Sequence, residues 1–342
     1  MTDIPFTDRT YLHDRHRLSH QQIDRWLGEN SGNQFLPEKL KQLTTIKTFL
    51  FVTDLLKQNE ILFTCLKGPL LSYRIYHDPT IRISHDIDLL IDVEMINPVM
   101  SILTGNGYQL TKGVFWPQKK AQQEMYINAV HHLSFLNREL GSCVEIHWVL
   151  MHNLPVSNKK QRQIIAGNLT RIEFCGRTFT VLTPEFELLY LLIHGARHGW
   201  NRLKWLVDIH DYPVDQLDHL QFNKLTRQLK AGRIIGQVNV LLDKFFEMKL
   251  PFESENRIPD YFVSYALQFV GSEVAELQST RELLNHFRYL WHVFPGYYYK
   301  SGVIAGILFR HGDLIEIDSS LKIMYYLYRP YSFIKRRILH AQ

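Results

Sequence analysis

Cysteine is scarce in this chain. Its three cysteines, Cys65, Cys143 and Cys175, are far apart and odd in number. They argue against a disulfide framework and against a zinc–thiolate site, so no metal cluster is expected and a reducing cytoplasm suits the chain. Long apolar runs are lacking too. The longest near the end, "VIAGILF" (303–309), is far too short to span a bilayer. The opening "MTDIPFTDRTYLHDRHRLSH" is polar throughout, so no secretory leader is expected. Internal repeats and low-complexity tracts are absent. A large charge excess is absent as well: the net charge of +5 is compatible with a phosphate-bearing partner but is weak support for nucleic acid.

What remains is an ordinary globular composition, with 45% hydrophobic and 21% charged residues in 342. That length buries a good core and suits more than one domain. Apolar spacing predicts a helix over about 36–58, "LPEKLKQLTTIKTFLFVTDLLKQ". "ILFTCL" (61–66) reads as a strand. Gly68 and Pro69 break it, and Pro69 suits the first turn of a helix running to about Tyr76. "DIDLLID" (86–92) is the next strand, and "PVMSILTGNGYQL" a helix closed by a glycine turn. "HHLSFLN" and "CVEIHWVL" form a hairpin joined by "RELGS". From Thr183, a plausible N-cap before Pro184, helical spacing dominates. The expected units are an N-terminal helical segment (1–60), an α/β core (61–180) and a helical C-terminal part (181–342).

Asp86 and Asp88 lie two apart on a strand and therefore project from one face. Two adjacent carboxylates repel, and a divalent cation is the natural neutralising partner. D-x-D alone equally fits an edge strand with both aspartates in water. A third acid stands on a second strand, where Glu145 and His147 share one face while Val144, Ile146 and Trp148 share the other. The Lys67-Gly68 turn precedes a helix N-terminus, which suits phosphate. Three acids on neighbouring strands beside such a turn fit a two-metal phosphoryl-transfer site, with Mg²⁺ as the hard cation.

Other candidates extend the site. Arg82 either clamps phosphate or is an exposed loop arginine. His147 either touches the nucleotide or a metal, or supports the acids by hydrogen bonding. "HGARHGW" sets His194 and His198 four apart, a spacing that can bind zinc, but the H-E-x-x-H pattern is absent. The better reading is a helix capping the site, with Arg197, Arg202 and Lys204 near the triphosphate and Asp208 orienting one of these cations. The aromatic, basic "KIMYYLYRPYSFIKRRILHAQ" either closes the core or makes weak peripheral membrane contact.

These residues together resemble the nucleotidyltransferase superfamily related to DNA polymerase β, and more narrowly the bacterial uncharacterised nucleotidyltransferase family. The matching segments are Leu66-Lys67-Gly68, Tyr76 to Pro79, Arg82, Asp86 to Leu90, "HHLSF", "VEIHW" and Leu188 to His210. The resemblance implies an α+β fold: a polymerase β-like core with a small mixed sheet and a mostly helical C-terminal part. It implies transfer of a nucleoside monophosphate from an NTP, with ATP the expected donor. Asp86, Asp88 and Glu145 would be the catalytic metal ligands, Glu145 nearest the acceptor hydroxyl. Lys67, Gly68, Arg82, His147, Arg197 and Lys204 would bind the nucleotide. The moderate net charge favours a small molecule, sugar or protein as acceptor, with an RNA 3′ end, as in toxin-type relatives, the alternative. The superfamily's Gly-Ser turn is here Gly68-Pro69, which keeps open a non-catalytic nucleotide-binding relative.

Overall fold

In a computed structural model of the chain, residues 6–29, 32–255, 257–273, 279–308 and 321–339 are described. The fold is α+β, as expected. Seven strands form one mixed sheet in the order β3-β4-β5-β2-β1-β7-β6. They are β1 (Phe63–Cys65), β2 (Asp86–Ile91), β3 (Gln109–Leu110), β4 (His132–Asn137), β5 (Ser142–His147), β6 (Leu169–Phe174) and β7 (Arg177–Leu182). β2 lies centrally. It pairs antiparallel with β1 and parallel with β5, in a register that sets Asp88 opposite Glu145.

The expected elements up to the hairpin are present. α3 (Leu36–Gln58) covers the sheet, and α4 (Pro69–Tyr76) follows the glycine turn. Gly68 there has φ +70°, a left-handed conformation that glycine adopts without strain. The hairpin β6–β7 is an addition to the sequence reading. Its signal was present: polar and apolar residues alternate on both sides of Cys175-Gly176. Both turn residues have positive φ (50° and 69°), as a tight hairpin turn requires. Thr183 precedes α8 (Pro184–Arg197), but its hydroxyl makes no capping bond and is buried without a partner. The expected cap is corrected there to a bare position followed by a first-turn proline.

Two apolar clusters organise the molecule. One packs α3 and α5 (Ile96–Gly105) on the sheet through Phe49, Val52, Leu89, Val99 and Ile146. The other is helical and centres on α8, α9 (Leu203–His210) and α11 (Gly232–Phe246), with Trp200 fully buried. Leu12 and Ile23 from the first two helices, and Leu18 between them, join this helical cluster rather than the sheet. The last helix, Lys322–Leu339, sends Tyr325 into the sheet cluster, where Gln122 donates to its hydroxyl at 3.1 Å. The side chains of Arg336 and Arg337, in the basic stretch suggested to meet a membrane, lie outside the described residues, as do residues 340–342. Among the described residues no helix is long and apolar enough to cross a membrane.

Candidate functional site

β2 and β5 carry the site because their alternation turns one face to the core and the other to a cleft. Val144, Ile146 and Trp148 are at most 2% exposed. On the opposite face His147 Nε2 lies 3.1 Å from Asp88 Oδ1 and 3.4 Å from Glu145 Oε2. Ser134 on β4 donates to Glu145 Oε1 at 3.3 Å, and His132 Nε2 is 3.7 Å from the same oxygen. Ligand atoms of Asp88, Glu145 and His147 all lie within 4.8 Å of one another. Asp86 begins β2 at the exposed rim and stands outside that group, near enough to Glu145 and Asp88 to feel their charge.

The two aspartates are tuned in opposite directions. Burial favours the neutral form of Asp88, but the Lys67 ammonium and the His147 hydrogen bond overcome it and hold the carboxyl well below its ordinary range. The Asp86 carboxyl is pushed up to about 6 by desolvation in the cleft and by repulsion from Glu145 and Asp88. His147 is raised: burial opposes its charge, and its bonds to Asp88 and Glu145 win. Lys67 is likewise raised against burial by Tyr190 and Asp88, with its Nζ 5.0 Å above the Tyr190 ring and 3.4 Å from His194 Nδ1.

Two cavities meet at these acids and share Lys67, Asp88, Glu145, His194, Arg202 and Trp205. The smaller, about 190 Å³, adds Gly68, Arg82, Asp86 and Lys204. The larger, about 550 Å³, is lined by seven histidines together with Arg197, Arg202, Tyr190 and Trp205. Every residue assigned from sequence to the metals or the nucleotide lines one of these two adjoining cavities, whereas Asp208 lines neither. The histidines at 131, 132, 152 and 286 were assigned no role from sequence. His131 and His132 were visible as a doublet. His152 and His286 arrive from a loop and from α13 (Thr280–Val293), and no local pattern connects them.

The cations differ in what they hold. Arg82 is a buried group, not an exposed loop arginine. It donates to both oxygens of Asp208 on α9 at 2.9–3.0 Å. Asp208 therefore orients a cation, but that cation is Arg82 and not Arg197, Arg202 or Lys204 as expected, because α9 packs its carboxylate against the segment entering β2. Lys204 is buried, and its Nζ donates to the Ile83 carbonyl. Burial and the neighbouring Arg82 push its pKa well down. Arg197 donates to the carbonyls of His152 at 2.6 Å and Asn153 at 3.3 Å. Ser72 is also engaged: it donates to the Asp78 carbonyl at 2.7 Å and accepts from the Arg82 N–H at 3.1 Å.

The family model described as uncharacterised nucleotidyltransferase matches residues 35–247, more than half of the chain. Among solved structures, an antigenic nucleotidyltransferase-like protein from Paracoccidioides brasiliensis aligns at 15% identity, covering 61% of this chain and 94% of that one. Its TM-score is 0.32, too low to bear on fold or function. No curated protein matches.

Proposed function

From its membership of the uncharacterised nucleotidyltransferase family, to which the chain belongs, we propose that it transfers a nucleoside monophosphate from an NTP to an acceptor hydroxyl and releases pyrophosphate. One observation carries this reading: Asp88 and Glu145 face each other across paired strands where a cation-lined cavity meets a larger chamber. Their oxygens are hard donors that fit Mg²⁺, and Asp86 at the rim is placed to complete the set. Mg²⁺, when bound there, supplies charge neutralisation on the phosphate oxygens.

The chain's own groups do the rest. Lys67 meets triphosphate oxygens as a point charge. Gly68 gives the turn that brings the N-terminus of α4 to the cleft. Arg82 acts through Asp208 as a positioning residue for the segment leading into β2, rather than as a phosphate clamp. His147 holds Asp88 and Glu145 in mutual register. The larger cavity falls in the size range of small-molecule sites and receives the acceptor. The acceptor oxygen bonds to the α-phosphorus, the bond to the pyrophosphate oxygen breaks, and the hydroxyl proton passes to Glu145. Such chemistry rests mainly on positioning and charge neutralisation.

The deciding experiment incubates the protein with each α-labelled NTP, Mg²⁺ and cell extract, with Asp88→Asn as the blank. Label that follows the wild-type protein and disappears with the blank is expected. Equal labelling by both ends the proposal. A second reading, nucleotide binding without turnover, is favoured by one feature. Pro69 offers no N–H at the turn, and Ser72 is committed to Asp78 and Arg82. NTP binding with no pyrophosphate release across many acceptors would select it.

A further inference from the structure

A different set of ligands lies behind the carboxylates. His132 opens β4 and pairs across the ladder with His147 at the end of β5. His131 precedes β4, and its carbonyl accepts from the Trp148 N–H at 3.1 Å. All three backbones are therefore held by the sheet. One ring nitrogen from each of His131, His132 and His147 lies within 4.8 Å of the others. His147 is 4% exposed. Its Nε2 is bonded to Asp88 and Glu145, while its Nδ1 is buried with no partner. His132 shows the same division: Nε2 faces Glu145, and Nδ1 is buried with no partner.

Buried polar atoms without partners are rare in folded proteins and call for a ligand or water. A histidine whose second nitrogen is tied to a carboxylate is the usual form of a metal-ligating imidazole, because the carboxylate fixes the tautomer and ring orientation. We propose that His131, His132 and His147 hold one divalent transition-metal ion of the zinc type, separate from the oxygen-ligated Mg²⁺ site and facing the larger cavity. Imidazole donors select zinc, cobalt or nickel over magnesium. Three protein nitrogens leave a fourth position open to the chamber, the arrangement of a reactive rather than a purely structural ion. Bonds of about 2.0–2.1 Å set tetrahedral nitrogens about 3.3 Å apart, so closure requires only side-chain rotation of rings already adjacent. The surface group His13, His20 and Glu38 makes a poorer rival. His13 already contacts Asp14 at 2.7 Å and Glu38 at 3.2 Å.

The test uses intact, untagged protein and Co²⁺ as the probe, read by its visible d–d absorption and by metal content rather than by turnover. One Co²⁺ per chain with intense tetrahedral bands is expected, resistant to a large excess of Mg²⁺. The double variant His131→Gln, His132→Gln should weaken binding at least ~100-fold, whereas Asp88→Asn, which only orients a ligand, should weaken it about 10–100-fold and keep the bands. X-ray absorption on the wild-type protein should show imidazole scattering, which settles the ligands even if the double variant does not fold. Absence of the bands, displacement by Mg²⁺, an oxygen-only ligand shell, or binding indifferent to both histidine substitutions would overturn the proposal.

Discussion

In the smaller cavity two of the cations, Arg82 and Lys204, are already engaged by the protein. Arg82 is forked onto Asp208, and Lys204 is bound to a backbone carbonyl. In the larger cavity ring nitrogens of His132, His147 and His152 are buried without partners. The two compartments share Asp88, Glu145 and Lys67 yet differ in whether their polar groups are satisfied. Buried groups with good partners fix geometry; buried groups without them call for water or a ligand. Residue type alone does not separate these cases, since an arginine beside an aspartate pair looks like a phosphate clamp until its counter-charge is found.

The largest effect tests the edge both cavities share. Asp88→Asn should lower labelling from an α-labelled NTP by about 10⁴-fold, or about 5.4 kcal/mol of barrier, because the charge on a bound cation loses its main anchor. Retained labelling would place the chemistry elsewhere. Next comes the satisfied cavity. Asp208→Asn leaves Arg82 as an uncompensated buried cation and should cost about 3–5 kcal/mol in urea unfolding. Lys67→Met should cost less, because His147 still faces Asp88 at 3.1 Å, and should weaken NTP binding. Comparable destabilisation by both would erase the distinction drawn between the two lysine and arginine roles.

Smaller effects probe the helical cluster and the larger cavity beside it. Gly195 sits on α8, and a methyl group there would collide with the buried Trp200 ring. Gly195→Ala should cost about 1–3 kcal/mol, read as a lowered melting temperature. The smallest effect concerns His198. Burial, then Lys67 and Arg197, push its pKa down to about 3. Below pH ~6.5 the unfolded chain therefore binds a proton that the folded chain refuses, so this contribution is complete above that pH and is lost as the pH falls. Moving from pH 6.5 to 5.5 should cost the wild-type protein about 1 kcal/mol more than His198→Gln. Parallel pH curves for the two proteins would show that His198 is not held neutral.

Local chemistry was legible in the sequence. The face shared by Glu145 and His147 followed from strand alternation, and the helix Pro69–Tyr76 from its glycine and proline. The parallel register of β2 on β5 was not legible, because nothing in either strand states its partner. The Arg82–Asp208 fork joins residues 126 apart and arises only when α9 packs beneath the segment entering β2. The histidine-lined chamber is likewise an outcome of tertiary packing, gathered from β4, β5, α8, α13 and a loop.

The fork between Arg82 and Asp208 also limits how the chain can be divided. A fragment ending before Leu203 would keep all seven strands and all three acids, but it would remove the only anion bonded to both nitrogens of that guanidinium fork among the described residues. The segment that delivers Asp86 and Asp88 would then keep its bonds to Ser72 and Gln42 but lose its ionic anchor. The sheet is no transplantable cassette: the placement of its acids depends in part on the helices that follow it.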